Sequence, residues 1–450
     1  MRSPRWKAAA ATSLALALTM SACGGRDEDT STSSGGGDSG GGGESTAETV
    51  VPTADCASDP TAVVEGDTIK LGSSFPQSGL YSAFAEISKG WTAYFDYLNE
   101  EKGGVDGKKI EVITYDDEYD PNKTVTNAQK LVQEDEVFAL FNIVGTPNNK
   151  GVREFVNPLC VPNMYVATGS QLWGDQAGEF PWTVGSIPSY PTEAAVFATY
   201  LGEENPEAKV AVLYQNDDFG EGYLEAFKKA IEGTDIEIVA EEALEPGGTP
   251  DSAVATLADS GADTFLAAVT TVTCPNTLKA AQSVGWTPLT YISATCTSNT
   301  LLDLAPEGSK DNLISSLYIK APDDPQWADD PAIQEFKEIG AKYGLTEKEL
   351  NNGIVTYGWA MGELMALTLE QAAESGGISR SSVIEASRDL SDVRIEVLLP
   401  EVMINSKGFE DPFLIEAMQV GKYDPAQKIF ELQGELQDFE GQTADYSPGG

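Results

Sequence analysis

Short runs of β-branched and apolar residues alternate along the chain with segments whose apolar positions recur every three or four residues. The runs predict strands over residues 69–73, 110–115, 137–143, 210–214, 236–240, 264–268 and 289–292. Between them, Ile87, Trp91, Tyr94, Phe95 and Leu98 share one helical face, and Val125, Ala128, Leu131 and Val132 share another. The second of these helices is entered through Asp120 and Pro121, as N-cap and first helical residue. Tyr223, Phe227 and Ile231 mark a third. Trp91 and Trp286 fall within apolar patterns and read as packing residues. Strand–helix alternation of this kind predicts an α/β fold with parallel sheets flanked by helices, in two series separated near "PWTVGSIPSYPTEAA" at 181–195.

Open α/β sheets bind ligands beyond the carboxyl ends of their strands. The loops to watch are therefore 74–81, 145–149, 167–171, 215–220, 270–275 and 294–299, which carry hydroxyls, amides, aromatics and few charges. Small-ligand clefts need such equipment, although it is also ordinary loop composition.

Both ends of the chain read differently from this body. Arg2, Arg5 and Lys7 precede an apolar run over 8–20 that is too short to span a bilayer, which predicts a signal peptide over 1–22. Met20-Ser21-Ala22-Cys23 resembles a bacterial lipobox, with Met where Leu is usual, and implies cleavage before Cys23 and lipidation of it; the alternative is an ordinary secretory signal with a chance cysteine. A Gly/Ser/acid stretch, "STSSGGGDSGGGGESTAE", makes 23–65 read as a tether that cannot bury enough apolar surface to order itself. Its Gly37-Asp38-Ser39-Gly40-Gly41 matches GxSxG by coincidence, because no strand, helix or partner base surrounds it. Residues 433–450 read as a frayed polar tail.

Charge and composition then narrow the function. The 450 residues carry 28 Lys and Arg against 71 Asp and Glu, a net charge of −43, with no histidine. Loss of the signal peptide removes three basic residues and gives 25 − 71 = −46. Such acidity excludes nucleic acid as a partner. Without histidine, Ser-His-Asp and Cys-His catalysis and most transition-metal sites are excluded as well. The cluster Asp116, Asp117, Glu118, Asp120 and Asn122 lacks the EF-hand glycine and terminal Glu spacing and reads as a solvated strand-to-helix turn. No metal and no cofactor is expected.

The order and spacing of three segments make the reading specific. "IKLGSSFPQSGLYSAFAEISKGWTAYFDYLNEEKGGVDGKKIEVITYDDEYDPNKTVTNAQKLV", "YVATGS" and "AVLYQNDDFGEGYLEAFKKAI", with "VTYGWAMGELMALTLEQA" later, resemble the branched-chain amino-acid (Leu/Ile/Val-binding-like) substrate-binding proteins of ABC transporters over about 68–430. The resemblance implies the type I periplasmic binding protein fold: two Rossmann-like lobes with parallel sheets joined by a three-strand hinge. By that resemblance lobe one spans 66–187 and 322–395, and lobe two 188–321 and 396–432. It implies a cleft faced by Ser78, Gly79 and Tyr81, with Gly145, Thr146, Ala167, Thr168 and Ser170 offering hydroxyls and N–H groups to a ligand carboxylate. Phe219 would be an aromatic lid, Thr270, Thr271 and Thr295 would lie on lobe-two loops, and Tyr357 would stand near the mouth. One departure concerns specificity. Relatives often place an acid in the loop after the strand ending near Ile292, to meet the ligand ammonium, whereas this chain reads Ala294-Thr295-Cys296-Thr297. A carboxylate, amide or urea-like solute therefore stays open beside an amino acid, since a buried ammonium without a counter-charge is costly.

With Cys23 lipidated, four cysteines remain outside the cytoplasm and allow three pairings. Cys274 and Cys296 follow neighbouring strands at their carboxyl ends, which favours Cys274–Cys296 and leaves Cys56–Cys160. The expected function is a monomeric, membrane-anchored solute receptor that docks on the transmembrane subunits of an ABC permease and catalyses nothing. Two alternatives are a sensory receptor of the same fold and a secreted hydrolase using paired carboxylates.

Overall fold

A computed structural model describes residues 51–443. The signal peptide, Cys23, the tether up to residue 50 and the tail from 444 lie outside the described residues. The chain opens with β1 (Thr68–Phe75), α1 (Glu86–Tyr97), β2 (Lys109–Asp116), α2 (Pro121–Gln133), β3 (Ala139–Phe141), α3 (Thr146–Val156), β4 (Asn163–Val166), α4 (Leu172–Asp175) and β5 (Thr183–Gly185). It continues through α5 (Tyr190–Glu204), β6 (Lys209–Gln215), α6 (Asp218–Ala230), β7 (Glu237–Leu244), α7 (Asp251–Ala258), β8 (Thr264–Ala268), α8 (Thr273–Ser283), β9 (Leu289–Ile292), α9 (Asn299–Leu302) and β10 (Leu313–Leu317). Four helices follow, α10 (Pro331–Lys342), α11 (Glu347–Leu350), α12 (Gly353–Glu374) and α13 (Arg380–Ala386), then β11 (Ala417–Asp424), β12 (Ile429–Leu432) and β13 (Gln437–Asp438).

These strands form two sheets, one per lobe. Sheet one is parallel, in the order β2-β1-β3-β4-β5. In sheet two a parallel set, β10-β9-β8-β6-β7, gains antiparallel β11 and β12 at the β10 edge. Position in the sheet explains sequence: β8 is buried at every residue, as a strand covered on both faces must be, whereas edge strand β7 alternates. Asp120 caps α2 by accepting from the Asn122 N–H at 2.9 Å, as its sequence predicts.

Helices α1 and α12 cross in the core of lobe one at glycines. A Cβ on Gly90 would collide with the Val355 carbonyl and lie 2.5 Å from the Trp359 nitrogen, and one on Gly358 would collide with the Ile87 carbonyl. Three crossover connections link the lobes: residues 186–189, residues 318–321, and a third that runs from 395 to 417, touching the second at 395–399 and packing on lobe one over 400–415 before it enters β11. The last two pair with each other, Lys320 N–H donating to the Val397 carbonyl at 2.9 Å and Leu399 N–H to that of Tyr318 at 2.9 Å. Both disulfides are present, Cys56–Cys160 with Cα atoms 5.4 Å apart and Cys274–Cys296 at 6.1 Å.

Three boundaries differ from the sequence reading. The tether stops short of residue 65: Val51 is fully buried, Cys56 is bridged, and the Val64 N–H donates to the Ile378 carbonyl at 2.8 Å. The polar tail begins later than 433, because β13 pairs with β11 and Thr443 is buried, its N–H held by Glu416 at 2.9 Å. Residues 400–415 pack on lobe one, not lobe two. Gly408 N–H donates to the Arg388 carbonyl, the buried Arg388 guanidinium binds the Pro181 and Thr183 carbonyls, and a Cβ on Gly174 would strike the Phe413 ring.

Candidate functional site

A cavity of about 140 Å³ lies between the lobes, at the carboxyl ends of the strands and against all three crossovers. That is close to the roughly 150 Å³ of an engineered protein cavity that holds benzene. Lobe one supplies Phe84, Ile87, Val144, Ala167, Ile354 and Tyr357; lobe two supplies Glu193, Ala294, Thr295, Ser298 and Phe430. Crossover residues Ile187, Pro188, Tyr318, Ile319 and Leu399 close the back, with Trp327, Asp323 and Asp324 beside them. The wall is mostly apolar and its polar groups are few, as in small-molecule sites.

Of the thirteen cleft residues expected from sequence, Ala167, Thr295 and Tyr357 line this cavity. Tyr357 is held by its hydroxyl, which accepts from Asn142 Nδ2 at 3.0 Å and shares a hydrogen with Ser186 Oγ at 2.8 Å. Burial pushes its pKa up to about 12, so it is a neutral donor. Thr270 Oγ1 reaches Thr295 Oγ1 at 3.4 Å, and Thr271, at φ +51°, donates to the Thr270 carbonyl.

The other residues are gathered in neighbouring contacts rather than on the cavity wall. Ser78 Oγ donates to Asp116 Oδ2 at 2.6 Å, and Gly79 turns the loop at φ +80°. Tyr81 stacks on Tyr119 with ring centroids 4.2 Å apart, and its hydroxyl crosses to lobe two to reach Gln215 Oε1 at 3.0 Å. Gly145, at φ +103°, precedes α3, where a Cβ would press on Tyr119. Thr146 Oγ1 lies 2.5 Å from Thr168 Oγ1, and that hydroxyl lies 3.0 Å from the Tyr190 hydroxyl. Tyr190 thus occupies the hydroxyl pair that the sequence offers to a carboxylate. Ser170 Oγ accepts from the Leu172 N–H. Phe219 is buried edge-to-face on Tyr190 at 5.2 Å, and Asp217 accepts from its N–H. A second interlobe tie joins Lys150 of α3 to Asp218 of α6 at 2.5 Å.

Sequence reasoning missed Glu193. It stands in the first turn of α5, where an acid ordinarily reads as a partner of the helix dipole. Here the helix is wedged against sheet two, with Glu193 99% buried. Its Oε2 accepts from the Ala294 N–H at 2.9 Å and the Tyr223 hydroxyl at 3.1 Å, and lies 3.5 Å from that of Tyr291. Among the described residues, Oε1 receives only Ser293 Oγ, at 3.3 Å. Burial outweighs these donors and pushes the carboxyl up to about 7.

Two sheets joined by three connections, with a cavity between them, define a two-lobed α/β fold. Residues 68–425 match the Periplasmic binding protein family, and the chain belongs to it. It is 22% identical over 182 residues to a leucine-, isoleucine-, valine-, threonine- and alanine-binding protein of Pseudomonas aeruginosa, covering 40% of this chain and 48% of that one. The chain spans about half the length of the curated relatives it matches. Solved structures extend the likeness of fold. A branched-chain amino acid ABC transporter protein from Thermus thermophilus with bound valine has a TM-score of 0.73 at 18% identity, over 83% of this chain and 97% of that one. A fatty acid ABC transporter substrate-binding protein from Thermomonospora curvata has 0.70 at 19%, over 84% and 94%. Among the described residues no helix is long and apolar enough to cross a membrane.

Proposed function

We propose that this protein is the extracytoplasmic receptor of an ABC importer, which captures a small amphipathic solute, foremost an amino acid with an apolar side chain, between its lobes. The observation that carries the reading is the interlobe cavity, apolar over most of its wall and bordered by both lobes and all three crossovers. A solute that touches both lobes favours the closed form by the free energy of those shared contacts. In this reading Cys23 carries the lipid that holds the receptor at the membrane, and the closed form docks on the permease. Ala167, Thr295 and Tyr357 touch the solute, while Tyr81 and Phe219 act as closing contacts. Charge sets the preference among solutes. Both lysines on the cavity wall already face carboxylates, Lys320 with Asp330 at 2.7 Å and Lys428 with Asp303 at 2.7 Å, whereas Glu193, Asp323 and Asp324 share the wall. An anionic fatty acid meets an unfavourable field there.

The test is thermal denaturation of the mature chain against leucine, isoleucine, valine, small amides and short carboxylates at about 1 mM. A micromolar ligand adds about 4 kcal/mol and raises Tm by several degrees. A shift with apolar amino acids is expected; no shift with any compound of the panel would overturn the assignment. Tyr81→Phe should then weaken the ligand about five-fold. It deletes one interlobe hydrogen bond worth about 1 kcal/mol and leaves the cavity wall intact. Calorimetric titration checks this, and an unchanged Kd would remove Tyr81 from the closing contacts.

A further inference from the structure

The loop that follows β9 brings no carboxylate to the cavity, yet a carboxylate stands there. We infer that Glu193 of α5 is the group that receives the ligand's ammonium, and that the protein selects solutes joining a primary amine to a small apolar body. The inference rests on the receptor reading above and goes beyond it by naming the residue and the charge it selects.

Three observations carry it. First, Glu193 lines the cavity while being 99% buried, and its nearest backbone donor, the Ala294 N–H, belongs to the acid-free loop itself. Second, its two oxygens are unequally served. Among the described residues Oε2 has three donors within 3.5 Å, whereas Oε1 has the Ser293 hydroxyl alone, at 3.3 Å. A carboxylate oxygen has room for a further donor, and an ammonium supplies both that donor and the opposite charge. Third, no cation among the described residues is paired with it. The titratable groups that face it are Tyr223 of α6, Tyr291 of β9, Tyr318 of the second crossover and Tyr190 of its own helix, all phenols pushed upward by burial and so uncharged. A buried carboxyl without a cation is costly to ionise, and its raised pKa agrees with that geometry. The arriving ammonium removes the penalty, which ties binding to loss of the Glu193 proton.

The experiment compares wild type with Glu193→Gln, using leucine, isoleucine, valine and isobutylamine beside the matching amine-free acids. Glutamine keeps the shape and the acceptor for the Ala294 N–H but cannot carry charge. The amines should lose about 10- to 100-fold in affinity, while the amine-free acids hold or gain. Wild type should release about one proton per amine bound near pH 6, read by calorimetry in buffers of different ionisation enthalpy. A packing role alone would not sort ligands by charge or release a proton. Amines binding Glu193→Gln as tightly as wild type, or without proton release to wild type, would overturn the inference. Binding only of amine-free solutes would overturn it and leave the receptor reading intact. Failure of every compound to bind would overturn both.

Discussion

Gly358→Ala should leave the protein largely unfolded or molten at temperatures where the wild type is native. A Cβ at this position meets the Ile87 carbonyl on α1, a backbone atom that no rotamer change can move. The opposite side offers no slack, because a Cβ at Gly90 would meet the Val355 carbonyl in return. The two helices can only separate, which opens a core that includes Trp91, Trp359 and Phe336. Overpacking of this kind typically costs about 1–3 kcal/mol where side chains can yield, and more where they cannot. The site would feel it too, since α12 begins at the cavity with Gly353, Ile354 and Tyr357. Circular dichroism melts and urea titration read the outcome; a Tm within about 2 °C of wild type would mean that the helices part freely.

The ligand-free protein should be more stable at pH 5 than at pH 8. Glu193 and Glu363 are pushed up to about 7 from the ordinary 4.5, both mainly by burial, Glu363 also by Glu335 and Glu396. Glu416 is raised in the same sense by burial. A raised acid stabilises the fold fully below its unfolded pKa, and that stability is lost as pH rises through the folded value. The window is therefore about 4.5 to 7, and Glu193 and Glu363 each contribute at most about 3 kcal/mol across it. Carboxylates held low, such as Glu349 at about 2 beside Lys89, act in the opposite sense but below that window. Urea denaturation at both pH values checks the sign, and Glu363→Gln should flatten the dependence and gain stability at pH 8. Equal stability at the two pH values would refute the assignment of these burials as costly.

How much of this was legible in the sequence depended on how local the cause was. Strand β8 appears at its expected bounds because a central parallel strand is one unbroken apolar run. Strands β4 and β5, of four and three residues, are too short to show a pattern, and β10 hides behind the serines of "LISSL". The Asp120 cap needs only its neighbours and was readable. Glu193 was not. Nothing in "YPTEAAVF" distinguishes an exposed first-turn acid from one buried between a helix and the loop at Ala294, a hundred residues on. The same distance effect hid the return of residues 400–415 to lobe one, which depends on the buried Arg388 reaching the Pro181 carbonyl.

The crossovers that line the cavity have a mechanical consequence. Ile187, Pro188, Tyr318, Ile319 and Leu399 line the wall, and in the proposed closure they would be its pivot as well. In the proposed closure, the volume a solute occupies would therefore be transmitted directly to the angle between the sheets. A guest that is too small leaves that angle to fluctuate, one that is too bulky wedges it open, and only a matching one fixes it. If the proposed receptor reading holds, the cleft is a calliper: a downstream protein that senses the angle would be informed of the size of the guest without touching it.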